Sequence, residues 1–477
     1  MQRMLKLFSL FGLMALLLAA CGGGTAATPT AAPAAAATAA PAAAEATKAP
    51  EATAAPAAAE ATKAPEATAA PAAAGGAANC AVSGPKIDKL VFWTRSKDGD
   101  PDYASIKAVA EAYTKASGSP VELVTVPDAD FKSKMSIAAP AGEGPDVYGP
   151  IAHDWIGEFA IQKIALEVPD SAIKEKDDII PAALDAARVD GKLYALPLFV
   201  ESVALIYNKA MVPTPPKTWD EFVKIAQDQT KGDVYGFGFP ILEQYHAGAF
   251  FMGFGGYIFK YENGKFDTND IGLNNDASVK AVEFLRDMYH KKQPALPEVA
   301  IDRANMHGAQ EGMMEAGKLA MTINGPWREA PLKKAGIDYG VAKLPSLPDG
   351  KPMRPFLGVQ VYGASAFSKN KDAALDFISF ATCTTSAIEQ YKGFIKVPVR
   401  TSAVQSPEVQ ANPNIPVWKA QADDGVPMPN IPAMSNVWKP WGDAMDAIIP
   451  PNTPDDQVKG LLDNAVTQIK TAIEQTK

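Results

Sequence analysis

The chain has 477 residues, of which 47% are hydrophobic and 21% are charged, and its formal net charge is -9 at pH 7. This length predicts two or three domains, and the hydrophobic fraction is ordinary for a globular protein. The acidic balance argues against a nucleic-acid partner, which would favour a basic surface.

The N-terminus has the features of an export signal. Arg3 and Lys6 make a basic start, and residues 7–20 form an uncharged apolar run that is too short for a typical membrane span. The run ends in Leu18-Ala-Ala-Cys21, followed by three glycines, which resembles a bacterial lipobox. We therefore expect a lipoprotein signal peptide over residues 1–21 and an acylated Cys21 that anchors the extracytoplasmic protein to the cell membrane. The alternative is an ordinary secretory signal that contains a cysteine.

Residues 22–84 form an Ala/Pro/Thr-rich segment in which the sequence at 45–59 is repeated at 60–74. Large apolar side chains are too scarce here to offset the entropy of ordering the chain. The regular prolines favour an extended spacer that rises roughly 3.1 Å per residue. We expect a disordered stalk that holds the folded body away from the membrane.

From residue 85 onward, segments with strand patterns alternate with segments with helical patterns. The first are strands at 89–93 and 121–126, a helix at 103–117, and a turn at 144–148 that leads into a third strand. Alternation at this spacing predicts βαβ units, an α/β fold and a parallel sheet. Asp98 and Asp100 follow the first strand and Asp154 follows the third, on the side where such sheets bind ligands.

Later segments carry further turn and helix signals. Asp190-Gly191 and Asn263-Gly264 predict hairpins, and Thr218 with Glu221 predicts a capping box. We expect helices at 277–289, 305–314, 371–381, 437–449 and 455–475, and strands at 320–323, 339–343 and 358–364.

Common catalytic motifs are missing from the sequence. It contains no Gly-x-Ser-x-Gly, no His-Glu-x-x-His, no Walker loop and no metal-spaced Cys/His cluster. We therefore expect no enzyme activity, no cofactor and no metal. The histidines at 153, 246, 290 and 307 have no spacing that suggests a site, and we expect a structural hydrogen bond for His153. Whether Cys80 and Cys383 form a disulfide stays open.

Acidic and aromatic residues remain as binding candidates. Glu201 interrupts an apolar run at 197–207, so its carboxylate is either paired or lines a wet cleft. Trp327 follows the turn Asn324-Gly325-Pro326, where glycine tolerates a positive φ, and its ring is either core or the floor of a cleft. The full set is Asp154, Glu201, Glu243, Tyr245, Trp327 and Trp438.

This combination of side chains suits a sugar. A sugar presents hydroxyls around its ring edge and a C–H face, which bind polar groups and aromatic rings respectively. Each buried hydroxyl then needs a hydrogen-bond partner. Glycosidases also place carboxylates around sugars, so a binding protein and a cell-surface glycosidase both stay open.

Six stretches, in order, resemble the maltose/maltodextrin-binding proteins of bacterial ABC importers, which belong to extracellular solute-binding protein family 1. The stretches are Ala152-His-Asp154, residues 200–209, 215–219, 255–265 and 320–327, and Met428-Pro-Asn-Ile-Pro-Ala-Met-Ser435. The resemblance covers some four-fifths of the chain, from about residue 86 to the C-terminus, and leaves out the stalk.

The resemblance implies a type II periplasmic-binding-protein-like fold, with two α/β lobes joined by a three-crossing hinge and a ligand cleft between them. The implied N-terminal lobe comprises residues 85–199 and 362–408. The implied C-terminal lobe comprises residues 200–361 and 409–477. The crossings are expected near residues 200–202, 356–361 and 406–412.

The resemblance also implies roles for individual residues. Those matching Asp154, Glu201 and Glu243 bind sugar hydroxyls, and those matching Tyr245, Trp327 and Trp438 stack on or flank sugar rings. The chain departs from the family pattern at Ile151, which replaces a Trp, and at Trp155 and Gly442, which each replace an Arg. Trp155 is a further candidate contact, as are Asp98 and Asp100, which lie where the family has Asn-Gly-Asp-Lys.

The implied function is capture of maltose or maltodextrin and its delivery to a membrane permease by a monomeric protein. Alternatives are a receptor for another solute, such as trehalose, another oligosaccharide or a signalling ligand. The alternative from another class is a glycosidase that uses two of the three carboxylates.

If Cys21 is acylated, labelled fatty acid will enter the wild-type protein in its host cells and will not enter the variant Cys21→Ser, because only the thiol can carry the lipid. Labelling is measured after purification of each protein. Equal labelling of the two proteins would show that Cys21 carries no anchor.

Overall fold

The computed structural model describes residues 80–262 and 265–475. The expected signal peptide, Cys21 and the stalk up to residue 79 lie outside the described residues, as does the expected Asn263-Gly264 turn. No helix in the described ranges has the length and apolar character needed to cross a membrane.

Strands and helices alternate through most of the described chain. The strands are β1 (Leu90–Thr94), β2 (Val121–Thr125), β3 (Val147–Ala152), β4 (Arg188–Val189), β5 (Lys192–Leu193), β6 (Leu196–Glu201), β7 (Ala204–Asn208), β8 (Phe259–Glu262), β9 (Lys265–Ile271), β10 (Met321–Asn324), β11 (Tyr339–Ala342), β12 (Phe356–Ala364), β13 (Val397–Pro398) and β14 (Val426–Pro427). The α-helices are α1 (Pro101–Ser117), α2 (Asp128–Ala141), α3 (Asp154–Ile161), α4 (Pro181–Ala186), α5 (Trp219–Gln229), α6 (Gln244–Phe254), α7 (Asp276–Lys291), α8 (Met306–Glu315), α9 (Glu329–Lys334), α10 (Lys371–Ala381), α11 (Thr384–Phe394), α12 (Thr401–Val404), α13 (Pro407–Gln410), α14 (Ile415–Asp423), α15 (Trp438–Ile448) and α16 (Asp455–Gln475). Short 3-10 helices include Pro326–Arg328 and Pro432–Asn436.

The larger sheet has the strand order β13-β6-β12-β3-β1-β2, with β14 beside β12. β1 runs parallel to β2 and β3, as the βαβ pattern predicts. β12 runs antiparallel to β3 and β6. The sheet is therefore mixed, whereas the βαβ pattern led us to expect a parallel sheet. A strand that returns after a long excursion is not held to the direction that a short helical crossover imposes.

The smaller sheet has the order β10-β7-β11, with both outer strands antiparallel to β7. The core consists of two large hydrophobic clusters. One surrounds the larger sheet and also includes Ala204 and Ile206 of β7, whereas the other includes Leu205 and Tyr207, which alternate with them along β7. β6 belongs to the larger sheet and β7 to the smaller, so the chain passes between them at residues 202–203. There the Ser202 hydroxyl donates to the carbonyl of Phe356 at 2.8 Å. This bond joins the first expected crossing to the start of the second.

Local signals predicted several elements correctly. Asp190 and Gly191 have φ angles of 49° and 79° and turn the chain between β4 and β5. Thr218 and Glu221 form the predicted capping box of α5. The helix α6 was not predicted, because it is buried on nearly all sides and shows no amphipathic period.

Cys80 and Cys383 form a disulfide with an S–S distance of 2.00 Å, so the question that the sequence left open is answered. Close by, the backbone N and hydroxyl of Ser83 donate to one oxygen of Asp376 at 2.9 and 3.0 Å. Residues 80–84, which we expected within the stalk, are thus attached to the folded body.

Candidate functional site

The turn after β10 holds an aromatic ring against its own backbone. Gly325 has a φ of -104°, which is ordinary extended backbone and not the positive φ that its type suggested. A Cβ at this position would lie 2.0 Å from the half-buried ring of Trp327. Glycine is therefore needed to make room for the indole.

The two residues after Trp327 anchor this turn. Arg328 is buried and pairs with Glu311 at 3.1 Å and with Glu315. Glu329 is only 1% exposed, and a buried carboxylate is tolerated when it is fully hydrogen-bonded. Its oxygens accept hydrogen bonds from Tyr339, Asn412, Asn414 and Trp418. Because Asn412 lies in the third expected crossing, this network connects the ring to that segment.

Four rings form a row, which we call the ring row, from Trp327 to Trp438. The centroid of Tyr245 lies 6.3 Å from Trp327 and 5.9 Å from Phe356, and Phe356 lies 6.0 Å from Trp438. These separations are typical of packed aromatic side chains. Three of the four rings are predicted site residues. Phe356 was not predicted.

Asp154 follows a strand of the larger sheet and contacts the ring row from that side. It begins α3 directly after β3, and the Trp438 indole N–H donates to its carboxylate at 3.3 Å. The carboxylate is buried, and desolvation raises its pKa above the usual range. The structure therefore brings two of the predicted residues, Asp154 and Trp438, into contact.

The neighbouring His153 has the structural role that we expected. Its Nδ1 accepts from the backbone N–H of Val359 at 3.1 Å. With Nδ1 accepting, Nε2 carries a hydrogen and donates to the carbonyl of Met428 at 3.1 Å. These two bonds connect the start of α3 to β12 and to the segment that leads toward Trp438.

A row of polar side chains, which we call the polar chain, crosses the larger sheet. Arg95 donates to the Gln360 amide oxygen at 3.0 Å, and the Gln360 amide nitrogen donates to Glu201 at 2.6 Å. The other Glu201 oxygen lies 2.6 Å from the ammonium of Lys396. Burial acts to raise the pKa of Glu201, but Lys396 and the hydrogen bonds hold it below its usual value. Glu201 is thus paired, which was one of its two expected states.

Glu243 precedes α6 and caps it. Its carboxylate accepts from the backbone N–H of His246 at 3.0 Å and lies 2.5 Å from Nδ1 of the same residue. Burial opposes ionisation, but these contacts with His246 lower the pKa of Glu243. The ring of His246 also lies 6.2 Å from that of Trp327. The histidine is therefore part of the site, contrary to our expectation from its spacing.

The hydroxyl of Tyr245 is buried and has no hydrogen-bond partner within residues 80–262 and 265–475. A Cβ on Gly358 would lie 3.1 Å from this hydroxyl and equally close to the Glu201 side chain, so a glycine leaves both groups room. Burial, together with the charges of Glu201, Glu243 and Asp154, raises the pKa of Tyr245 well above its usual value. The unpaired phenol is therefore influenced by the charges of three predicted carboxylates.

The remaining candidates lie at the edge of this cluster. Asp100 is exposed and lines a cavity of about 360 Å³ together with Trp327 and Lys396. Asp98 is exposed in the same loop but does not line that cavity. The ring of Trp155 lies 5.9 Å from that of Phe131 and is also approached by Arg95 and Lys132 at 5.3 and 5.2 Å. Three protein side chains therefore already approach this ring.

The two other departures from the family pattern have structural explanations. Ile151 is fully buried in β3 and pairs with Val361 of β12. A Cβ on Gly442 would lie 2.2 Å from the amide nitrogen of Gln244, which donates to the Trp438 carbonyl at 2.9 Å. The space beside the helix backbone is therefore filled by Gln244.

Sequence reasoning missed five side chains of this cluster. They are Arg95, His246, Phe356, Gln360 and Lys396. Gln360 and Lys396 reach Glu201 only through strand pairings between distant parts of the chain, which have no local sequence signal. In the described part of the chain no group of three or more His, Cys, Asp or Glu side chains is arranged to hold a metal ion.

Replacing Asp154 by Asn should raise the melting temperature at neutral pH. A raised pKa means that the ionised carboxylate costs stability in the folded protein, and an amide removes this cost. The difference from wild type should shrink as the pH falls through the raised pKa, because wild-type Asp154 then becomes neutral as well. Thermal unfolding at neutral and acidic pH measures both effects, with the exposed Asp98→Asn as the unchanged control. A lower melting temperature for Asp154→Asn at neutral pH would contradict a raised pKa at this carboxylate.

Comparison with known proteins identifies the group of proteins to which this geometry belongs. The sequence model described as "Bacterial extracellular solute-binding protein" matches residues 108–417. The galactooligosaccharide-binding protein of Bacillus subtilis (strain 168) is 31% identical over 378 residues, which cover 78% of this chain and 87% of that protein. The maltooligosaccharide ABC transporter solute-binding lipoprotein of Streptococcus pneumoniae (strain ATCC BAA-255 / R6) is 30% identical over 79% of this chain and 88% of its own.

A solved structure gives the same result for the fold. The maltotriose binding protein of Thermus thermophilus, bound with maltotriose, superposes with a TM-score of 0.74 at 35% identity, covering 80% of this chain and 100% of that one. The fold is the two-lobed periplasmic-binding-protein fold that the resemblance implied. The chain belongs to the bacterial extracellular solute-binding proteins.

Proposed function

We propose that the protein captures an oligosaccharide of the maltose/maltodextrin type and delivers it chemically unchanged to an ABC permease. The observation that carries this proposal is the buried Tyr245 hydroxyl, which lacks a partner among the described residues and faces the charges of three carboxylates. An unpaired buried hydroxyl costs free energy until a ligand satisfies it. A sugar supplies hydroxyls for the carboxylates and for the phenol, and a C–H face for the rings beside them.

The two lobes would contribute different parts of this site. Tyr245, Trp327 and Trp438 pack against the core around the smaller sheet, whereas Asp154 follows a strand of the larger sheet. A sugar held by both parts favours the closed arrangement, which is how a loaded protein becomes distinguishable to a permease. We keep residues 85–199 with 362–408, and 200–361 with 409–477, as the proposed lobes.

The names of the relatives support an oligosaccharide as the class of ligand, but they differ in which oligosaccharide they specify. One is named for galactooligosaccharides, one for maltooligosaccharides, and the solved structure holds maltotriose. An α-glucoside is our choice because two of these three names specify malto-oligosaccharides. In this proposal Asp154, Glu201 and Glu243 accept hydroxyl hydrogens, and Asp98, Asp100 and Trp155 flank the ligand.

We also propose that the protein acts outside the cytoplasm as a monomer tethered through acylated Cys21. The lipobox-like sequence supports this tether, as does the name of the pneumococcal relative, which describes a lipoprotein. The proline-rich spacer would then let the folded body reach both ligand and permease.

A panel of sugars in a thermal-shift assay tests the function. Maltose, maltotriose, trehalose and a galacto-oligosaccharide are compared, because only sugars that bind the native state raise its melting temperature. We expect the malto-oligosaccharides to give the largest rise. The pKa of Asp154 is raised and that of Glu201 is lowered. A glycosidase also needs two carboxyl groups whose pKa values differ in this way. Release of glucose from maltotriose would therefore overturn the proposal, and so would the absence of any shift.

Trp327→Ala should weaken sugar binding by roughly ten- to a hundredfold. Loss of ~60–100 Å² of apolar contact, at about 25 cal/mol per Å², removes about 1.5–2.5 kcal/mol. Isothermal titration with the sugar that the panel identifies measures the change. Phe367→Ala, which removes a 41% exposed ring outside the ring row, is the matched control and should bind like wild type. Wild-type affinity in Trp327→Ala would show that the indole is not a sugar platform.

A further inference from the structure

The pairing of two strands places a lysine opposite Glu201. β13 is antiparallel to β6, with Val397 opposite Val200 and Pro398 opposite Phe199. Continuing this register by one position sets Lys396 against Glu201, and their charged groups lie 2.6 Å apart. The side chains of Lys396 and Glu201 are only 8% and 9% exposed. This is a nearly buried ion pair at the end of β6.

The same ammonium also reaches the ring row. It lies 5.6 Å from the ring centroid of Trp327 and 5.6 Å from that of Phe394. Lys396 and Trp327 both line the cavity of about 360 Å³. Trp327 packs against the core around the smaller sheet, whereas Lys396 adjoins a strand of the larger one. The lysine therefore extends from one sheet toward a ring carried by the other.

This arrangement leaves donors of the ammonium available. A lysine ammonium has three N–H donors, and aromatic faces attract it without accepting strong hydrogen bonds. Glu201 is the polar partner of Lys396 among the residues that the structure describes. A buried ion pair is also weak evidence for a stabilising role, because desolvation offsets much of its attraction. The unused donors are placed to serve a ligand in the cavity that Lys396 and Trp327 both line.

We propose that Lys396 is a ligand-contacting residue, whose ammonium donates to a hydroxyl oxygen of a sugar lying against Trp327 while it balances the charge of Glu201. This inference rests on the proposed sugar-binding function. It adds a cationic donor to a site whose predicted charged members are all carboxylates. Such a donor favours a ligand oxygen that can accept a hydrogen bond at this point, and so contributes to the choice among sugars.

The test compares variants that separate ligand contact from charge balance. Lys396→Met keeps an apolar stem and removes the ammonium, and it should bind maltotriose about tenfold or more weakly, as expected for loss of a charge-assisted hydrogen bond. Because this variant leaves Glu201 without a counter-charge, it is paired with Glu201→Gln and with the double variant. Lys392→Met, at an exposed position on α11, is the control and should bind like wild type. Titrations use maltotriose and, in parallel, a galactosyl-lactose trisaccharide, and melting temperatures are recorded for each protein.

The decisive comparison is the double variant against Glu201→Gln alone. If Lys396 touches the sugar, the double variant binds about tenfold more weakly than Glu201→Gln, although neither protein holds an unbalanced carboxylate. Equal affinity of these two proteins would overturn the inference and leave Lys396 as a counter-ion, with the proposed function intact. Absence of saccharide binding by wild type would overturn both proposals.

Discussion

The polar chain across the larger sheet is the interaction on which the arrangement of the site depends. Arg95, Gln360, Glu201 and Lys396 come from four separate parts of the sequence, and each satisfies the next. A carboxylate as buried as Glu201 is tolerated only with such partners. The polar chain therefore links the middle of β12, through Gln360, to the end of β6, where the polypeptide leaves the larger sheet for the smaller.

A second network holds the rings in place. Glu329 lies two residues after Trp327, and its buried carboxylate accepts hydrogen bonds from side chains between residues 339 and 418. The indole in turn occupies the space where Gly325 would carry a side chain. Since the chain is anchored on both sides of Trp327, the indole has little freedom to rotate. A preorganised surface of this kind reduces the cost of ordering side chains on binding.

The carboxylates of the site are held in different electrostatic environments. Glu201 and Glu243 are each paired with a basic side chain, which lowers their pKa values. Asp154 is buried with an indole N–H as its hydrogen-bond partner, and its pKa is raised. The charges of all three carboxylates raise the pKa of the unpaired Tyr245 phenol. Neutral hydroxyl-bearing ligands suit such a site, because they can both donate to the carboxylates and accept from the phenol.

The sequence by itself determined the local elements and the identity of the family. The Asp190-Gly191 turn, the Thr218 cap and the helix at 371–381 follow from neighbouring residues, and six motifs in order were enough to name the relatives. Only the tertiary structure decided that Cys80 bonds to Cys383, that β12 runs antiparallel, and that Lys396 and His246 join the predicted residues. The physical reason is the distance along the sequence over which each interaction acts. Turn and cap preferences act over a few residues, whereas a buried charge takes its partner from whichever strand the completed sheet places beside it.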